Sequence, residues 1–183
     1  MEIKSLFPML AALVYANCSH AAPVATNDVY RIAAPEVKRI FGEDREDTFV
    51  NDGLVREAIL GFIGIADEPR ELSDGSTIMT GCRPQSCGER GAVIVDGPAK
   101  QLRAAAILHF HCRRTLLENE KSNQVPGNKC DTGSTLEIFI IRRSNALAGL
   151  KQELGYVREL EAWGKGLQFN NEVTRVKEVP APR

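Results

Sequence analysis

The residues best suited to recognition chemistry lie in one short run, Gly81-Cys82-Arg83-Pro84-Gln85-Ser86-Cys87-Gly88. Two cysteines with four residues between them can close a small ring, and Pro84 narrows its backbone further. Arg83, Gln85 and Ser86 equip that ring with a guanidinium, an amide and a hydroxyl, all hydrogen-bond donors. A stiff, donor-bearing loop loses little conformational entropy on docking and suits a cleft lined by carboxylates. The plainer alternative is a stapled turn that only closes a hairpin.

Other chemistries find weaker footing. His109 and His111 form an H-x-H on a strand, where alternation turns both rings to one side. Two metal ligands could sit there, but no third is evident nearby, because Cys112 points to the other face with Leu108 and Phe110. Two solvent-facing histidines are the better reading, so no metal is expected. A nucleophilic enzyme needs a base and an oxyanion hole beside its nucleophile. Ser86 lacks the Gly-x-Ser-x-Gly setting, and no glycine-rich phosphate loop is present. Glu43/Asp44 and Glu118/Glu120 read as solvated surface acids. The expectation is a protein that is not an enzyme and carries no cofactor.

The five cysteines bear on compartment. Residues 1–21 read as a secretory signal peptide, with Lys4 as the positive start and an apolar core from Leu6 to Tyr15. That core is far shorter than the about 20 residues that span a bilayer, so no membrane span is expected. Cleavage after Ala21 leaves Ser19 and Ala21 as the small residues before the cut, with cleavage after Ala16 as the competitor. Acylation of Cys18, the lipoprotein reading, is disfavoured because Tyr15-Ala16-Asn17 is a poor match to the Leu-small-small run it needs. Removing the leader leaves Cys82, Cys87, Cys112 and Cys130, an even set that reads as disulfides in an exported protein. Three pairings exist in principle. The local pairs Cys82–Cys87 and Cys112–Cys130 are favoured, each closing a turn-rich segment. Zinc is the rival, but no C-x-x-C pair is present. The protein is expected in the periplasm or secreted.

The elements that must position these residues follow from composition and pattern. The chain has 183 residues, 43% apolar and 26% charged, with 23 Lys+Arg against 24 Asp+Glu and a net charge of −1. That balance describes one ordinary globular domain and excludes a disordered, collagen-like or multi-pass membrane chain. It also argues against broad nucleic-acid binding, which calls for a large excess of Lys and Arg. Pro35 to Phe41 predicts a helix with Pro35 in its first turn, and Leu54 to Phe62 a second, with Val55, Ala58, Ile59 and Phe62 at helical spacing, although Phe62-Ile63-Gly64-Ile65 could equally be an extended run. Strands are predicted at Ser76–Thr80 after the Asp74-Gly75 turn, at Gly91–Asp96, at Arg103–Arg113 and at Thr135–Arg142. In the last, Leu136, Ile138 and Ile140 share one face while Glu137, Phe139 and Ile141 share the other. A polar excursion, residues 118–133, separates the last two strands. Ser144 is a reasonable N-cap for a final helix whose stripe Leu147, Leu150, Leu154 and Val157 should lie on the sheet, with Gly164 as its stop. From Val179 the chain reads as a loose tail. The sum is an α+β domain over residues 22–179: an antiparallel sheet of four or five strands flanked by helices, with two disulfides and a flexible tail at 180–183.

The cysteine loop also resembles the signature of the inhibitor of vertebrate lysozyme (Ivy) family, which reads Cys-Lys-Pro-His-Asp-Cys, usually followed by Gly. Here the matching residues are Cys82, Arg83, Pro84, Gln85, Ser86, Cys87 and Gly88. Asp74 to Thr80 fits the strand leading in and Arg90 to Val93 the strand leading out, so the likeness covers residues 72–96 closely and the remainder only in architecture. The resemblance implies an antiparallel sheet flanked by helices, a frequently dimeric protein, and a loop that inserts into the active cleft of c-type lysozyme or a related peptidoglycan hydrolase. In the family the loop histidine reaches the two carboxyl groups that flank the scissile bond. Gln85 stands at that position, with Ser86 for Asp and Arg83 for Lys. The Gln85 amide still donates but carries no charge, and charge-assisted hydrogen bonds are about twice as strong as neutral ones, so weakened or redirected binding is expected. An envelope binding protein with a different partner is the alternative.

Overall fold

The computed structural model describes residues 26–46, 53–114, 128–143, 146–167 and 171–182. The signal-peptide reading of residues 1–21, Cys18 and the proposed N-cap Ser144 lie outside these.

Helix α1 (Thr26–Phe41) lays Val29, Ala33, Val37, Ile40 and Phe41 along one buried stripe. These recur every three or four residues, the helical period. The helix begins nine residues before Pro35, which sits inside it rather than in its first turn. Pro35 is exposed, and the apolar stripe on both sides of it holds the helix together despite the missing backbone donor. A two-stranded ribbon, β1 (Arg45–Glu46) with β2 (Gly53–Leu54), leads into α2 (Val55–Phe62). This helix falls where its spacing predicts, with Val55, Ile59 and Phe62 buried.

The main sheet has seven strands, larger than the four or five expected. They are β3 (Ile65–Ala66), β4 (Arg70–Glu71), β5 (Thr77–Arg83), β6 (Ser86–Asp96), β7 (Gln101–Arg114), β8 (Asn128–Arg142) and β9 (Asn171–Pro180). The order is β3-β5-β6-β7-β8-β9, with β4 also paired to β5. It is mixed rather than antiparallel, since β9 runs parallel to β8. Helix α3 (Leu147–Lys165) is the crossover that a parallel neighbour requires. Strand β9 occupies part of the expected tail: Val179 pairs with Ile141 and Pro180 with Arg142. Strand β8 likewise begins inside the expected polar excursion.

Alternation sorts the sheet into two faces. Met79, Val93, Ile107, Phe139 and Ile141 meet α1 and α2, with the Phe41 and Phe139 rings edge-to-face at 5.3 Å. Ile78, Ala92, Ile94, Leu136, Ile138 and Ile140 meet α3. The β8 alternation read from sequence is therefore the one observed. The α3 stripe is observed only in part: Val157 packs against the Leu136 face, but Tyr156, Leu160 and Gly164 are the buried residues of the helix, and Leu147 and Leu154 stand 85% and 58% exposed. The helix is turned so that the Tyr156 side meets the sheet, and it runs past Gly164 to a cap at Gly166.

Candidate functional site

The cysteine segment is less a loop than the end of a hairpin. Strands β5 and β6 run without a break to a two-residue turn, Pro84-Gln85, flanked by the pair Arg83↔Ser86. Proline at the first turn position and a positive φ of 69° at Gln85 form the pattern of a type II turn. A non-glycine residue in that region costs energy unless its surroundings hold it there.

Three features hold it. The Cys82–Cys87 disulfide closes the ring, with Cα atoms 4.8 Å apart. The register slips between Cys82↔Arg90 and Arg83↔Ser86, so Cys87, Gly88 and Glu89 stand against a single step of β5. This bulge brings Cys87 across from Cys82 and turns Glu89 toward Arg83. Behind the hairpin, the corner between α2 and β3 is wedged against glycines. A Cβ on Gly81 would stand 2.6 Å from the Ile65 carbonyl oxygen, and one on Gly91 would stand 2.9 Å from Ile63 Cγ2. One on Gly64 would stand 3.0 Å from the Pro84 ring. Side chains at these positions would push the corner away.

The donors at the tip do not share one fate. Arg83 Nε lies 2.5 Å from Glu89 Oε2, and the Ser86 hydroxyl also bonds Glu89. Glu89 is buried, and burial pushes its carboxyl above the usual range against the pull of Arg83 and Ser86. Two of the three predicted donors are therefore engaged by Glu89 while staying partly exposed, and Pro84 and Gln85 are exposed at the end of the hairpin. Glu89 was missed from sequence; its place two residues after Cys87 gave no signal of burial. Ile65, half exposed and directly opposite Cys82, was missed too, because a two-residue strand has no period to read.

The other cluster considered from sequence looks different in place. His109 is buried, not solvent-facing, with Nε2 3.9 Å from Glu137 Oε2, itself buried. Glu137 also lies 3.5 Å from Arg175 and 3.6 Å from Lys177, both on β9. Glu137 thus stands between the buried His109 ring on β7 and the two cations of β9. The side chains of His111, Cys112 and Cys130 lie outside the described residues, although the register sets Cys112 opposite Cys130. Among the described residues, no group of three or more His, Cys, Asp or Glu could hold a metal ion, and no helix is long and apolar enough to cross a membrane. Among them one disulfide is present, Cys82–Cys87.

At the far end of β5, the Leu72–Ser76 turn is fastened to α3. Asp74 accepts hydrogen bonds from the Ser76 amide at 3.0 Å, Gln152 Nε2 at 2.9 Å and the Tyr156 hydroxyl at 2.7 Å. Burial opposes ionisation here, but these donors outweigh it and hold the Asp74 carboxyl well below the usual range. Burial and the Asp74 charge push Tyr156 up to about 12. Beside this joint lies a groove of about 490 Å³ lined by Leu72, Ala148, Lys151, Gly155 and Tyr156 among others.

Comparison with known proteins finds no matching family model, no matching curated sequence and no matching solved structure.

Proposed function

We propose that this chain is an exported, Ivy-like binding protein that blocks a c-type lysozyme or related peptidoglycan hydrolase by inserting the Cys82–Cys87 hairpin into its cleft. The observation that carries this reading is the exposed Pro84-Gln85 turn at the end of a disulfide-closed hairpin. A turn already held in one conformation spends little of its binding energy on ordering. The disulfide suits an oxidising compartment, periplasmic or extracellular. Glycosidases of this kind present two carboxyl groups across the scissile bond, and the Gln85 amide can donate to them. The second disulfide, Cys112–Cys130, belongs to this reading: the two Cα positions are register partners on β7 and β8.

The test is whether the oxidised mature protein slows lysozyme lysis of bacterial cell walls. Inhibition is expected, weaker than a charged tip would give, and Gln85→Ala should weaken it about a further tenfold or more, the worth of a hydrogen bond to a charged group. Full inhibition by the Gln85→Ala variant, or none by the wild type, would remove the hairpin mechanism.

One observation favours the alternative of a non-lysozyme envelope partner. With Arg83 and Ser86 engaged by Glu89, the exposed turn itself offers a neutral donor, and the nearest cation already has an anionic partner. A cleft with an uncharged polar floor would accept it. Pull-down from periplasmic extract separates the two, since an envelope partner co-purifies without added lysozyme.

A further inference from the structure

We infer that His109 and Glu137 form an acid-sensitive clasp on the edge strand β9: when His109 takes up a proton, Glu137 turns to it and lets go of Arg175 and Lys177, and that edge of the sheet loosens.

Glu137 joins three strands through one carboxylate. Its Oε2 lies 3.9 Å from His109 Nε2 on β7, while its Oε1 lies 3.5 Å from Arg175 and 3.6 Å from Lys177 on β9. The cluster lies on the face that α1 and α2 cover. Ile107 and Phe139 belong to that core, and His109 and Glu137 each stand two residues along a strand from one of them. Arg175 and Lys177 are the register partners of Glu137 and Phe139, and the Lys177 ammonium sits 5.5 Å from the centre of the Phe139 ring.

The charged groups that face His109 come from neighbouring strands. β8 brings Glu137, and β9 brings Arg175 and Lys177 behind it. On β6, Glu89 follows Arg90, the register partner of Leu108, so it is the residue of that strand next to His109, with Arg83 as its own partner on β5. From α1 and α2 this face receives apolar side chains, among them Val37, Ile59 and Phe62.

Exposure decides which partner yields. The His109 and Glu137 side chains are 1% and 2% exposed, whereas Arg175 and Lys177 are 56% and 33% exposed. A buried imidazolium has no water to turn to and needs the carboxylate. The two cations of β9 are already partly hydrated and swing outward at little cost. Histidine is the side chain whose charge changes between about pH 5 and 8. Neutral His109 therefore leaves Glu137 to β9, and charged His109 claims it.

β9 is placed to feel the change. It is the outermost strand, paired on one side to β8, and it exposes Val173 and Val176. A strand with so little apolar burial opens locally more easily than the strands at the centre of the sheet.

The experiment follows amide hydrogen exchange of β9 in the full chain between pH 7.5 and 5, with β6 amides as the internal reference. Protection is corrected for the intrinsic pH dependence of exchange, and the His109 ring is titrated by NMR in the same samples. Protection of β9 is expected to fall about fivefold relative to β6, the worth of one partly exposed ion pair, with its midpoint at that of the His109 ring. His109→Gln cannot take the charge and should keep β9 protection level across the range, which also separates His109 from His111. Arg175→Gln with Lys177→Gln alters the solvent side of the clasp and spares the core. That double variant should leave β9 about fivefold looser at pH 7.5, with little further change in acid. Three results would each overturn the clasp: a His109 ring that does not titrate in this range, β9 protection that stays level while it does, and loosening that persists in His109→Gln.

Discussion

The two ends of β5 handle a carboxylate in opposite ways. At the Leu72–Ser76 end, Asp74 collects the Ser76 amide and hydroxyl, the Gln152 amide and the Tyr156 hydroxyl, and its ionised form is favoured. At the hairpin end, Glu89 is buried with one cation and one hydroxyl, and its ionised form is disfavoured. Burial acts on both, so the number and placement of donors decides the sign. The comparison separates two tasks. The Asp74 end is a joint that ties a turn to α3, whereas the Glu89 end engages two of the hairpin's donors and leaves Gln85 at the tip.

The comparison can be broken most forcefully at the glycine seat behind the hairpin. Gly81→Ala should cost about 3 kcal/mol, the upper end for overpacking, because the new methyl meets backbone rather than a yielding side chain. Denaturant unfolding checks it, and a cost under about 1 kcal/mol would mean that the corner is free to move. Replacing both Cys82 and Cys87 by Ser should cost about 2 kcal/mol, as expected for a short closed loop. Reducing the wild type should cost more than this, because the proposed Cys112–Cys130 bridge opens as well.

The joint end is sharpened by Asp74→Asn, expected to cost about 1 kcal/mol near neutral pH after allowing for solvent at this turn. Because its folded pKa lies below its ordinary value of 3.8, Asp74 contributes above that pH and its contribution fades as pH falls. The difference between wild type and Asp74→Asn should therefore shrink on acidification. Glu89→Gln is the smallest change, within about 1 kcal/mol, and its slope should be opposite. The folded pKa of Glu89 lies above its ordinary 4.5, so wild type should lose ground to Glu89→Gln as pH rises from about that value. Equal slopes in the two variants, measured by unfolding across pH 3 to 7, would break the contrast.

Much of this molecule is legible locally. The Cys82–Cys87 ring, α2 and the two faces of β8 are set by interactions within a few residues: ring closure, the helical period and strict alternation. Glu137 shows where that legibility stops. Its alternation with Phe139 and Ile141 places it on a buried face, yet nothing nearby reveals the cations on β9 that accompany it. The α3 stripe shows the same limit, because Leu147 and Leu154 have the right spacing but the wrong side of the helix.

By itself, then, the sequence determined an α+β chain with a disulfide-closed turn carrying Pro84 and Gln85 at its end. Tertiary structure alone decided that Arg83 and Ser86 face Glu89, that β9 joins in parallel, and that Ile65 stands beside Cys82. The reason is one of range. Turn sterics and side-chain alternation act between neighbours, while the choice of partner for a charge, a helix face or a strand edge depends on surfaces brought together from distant parts of the chain.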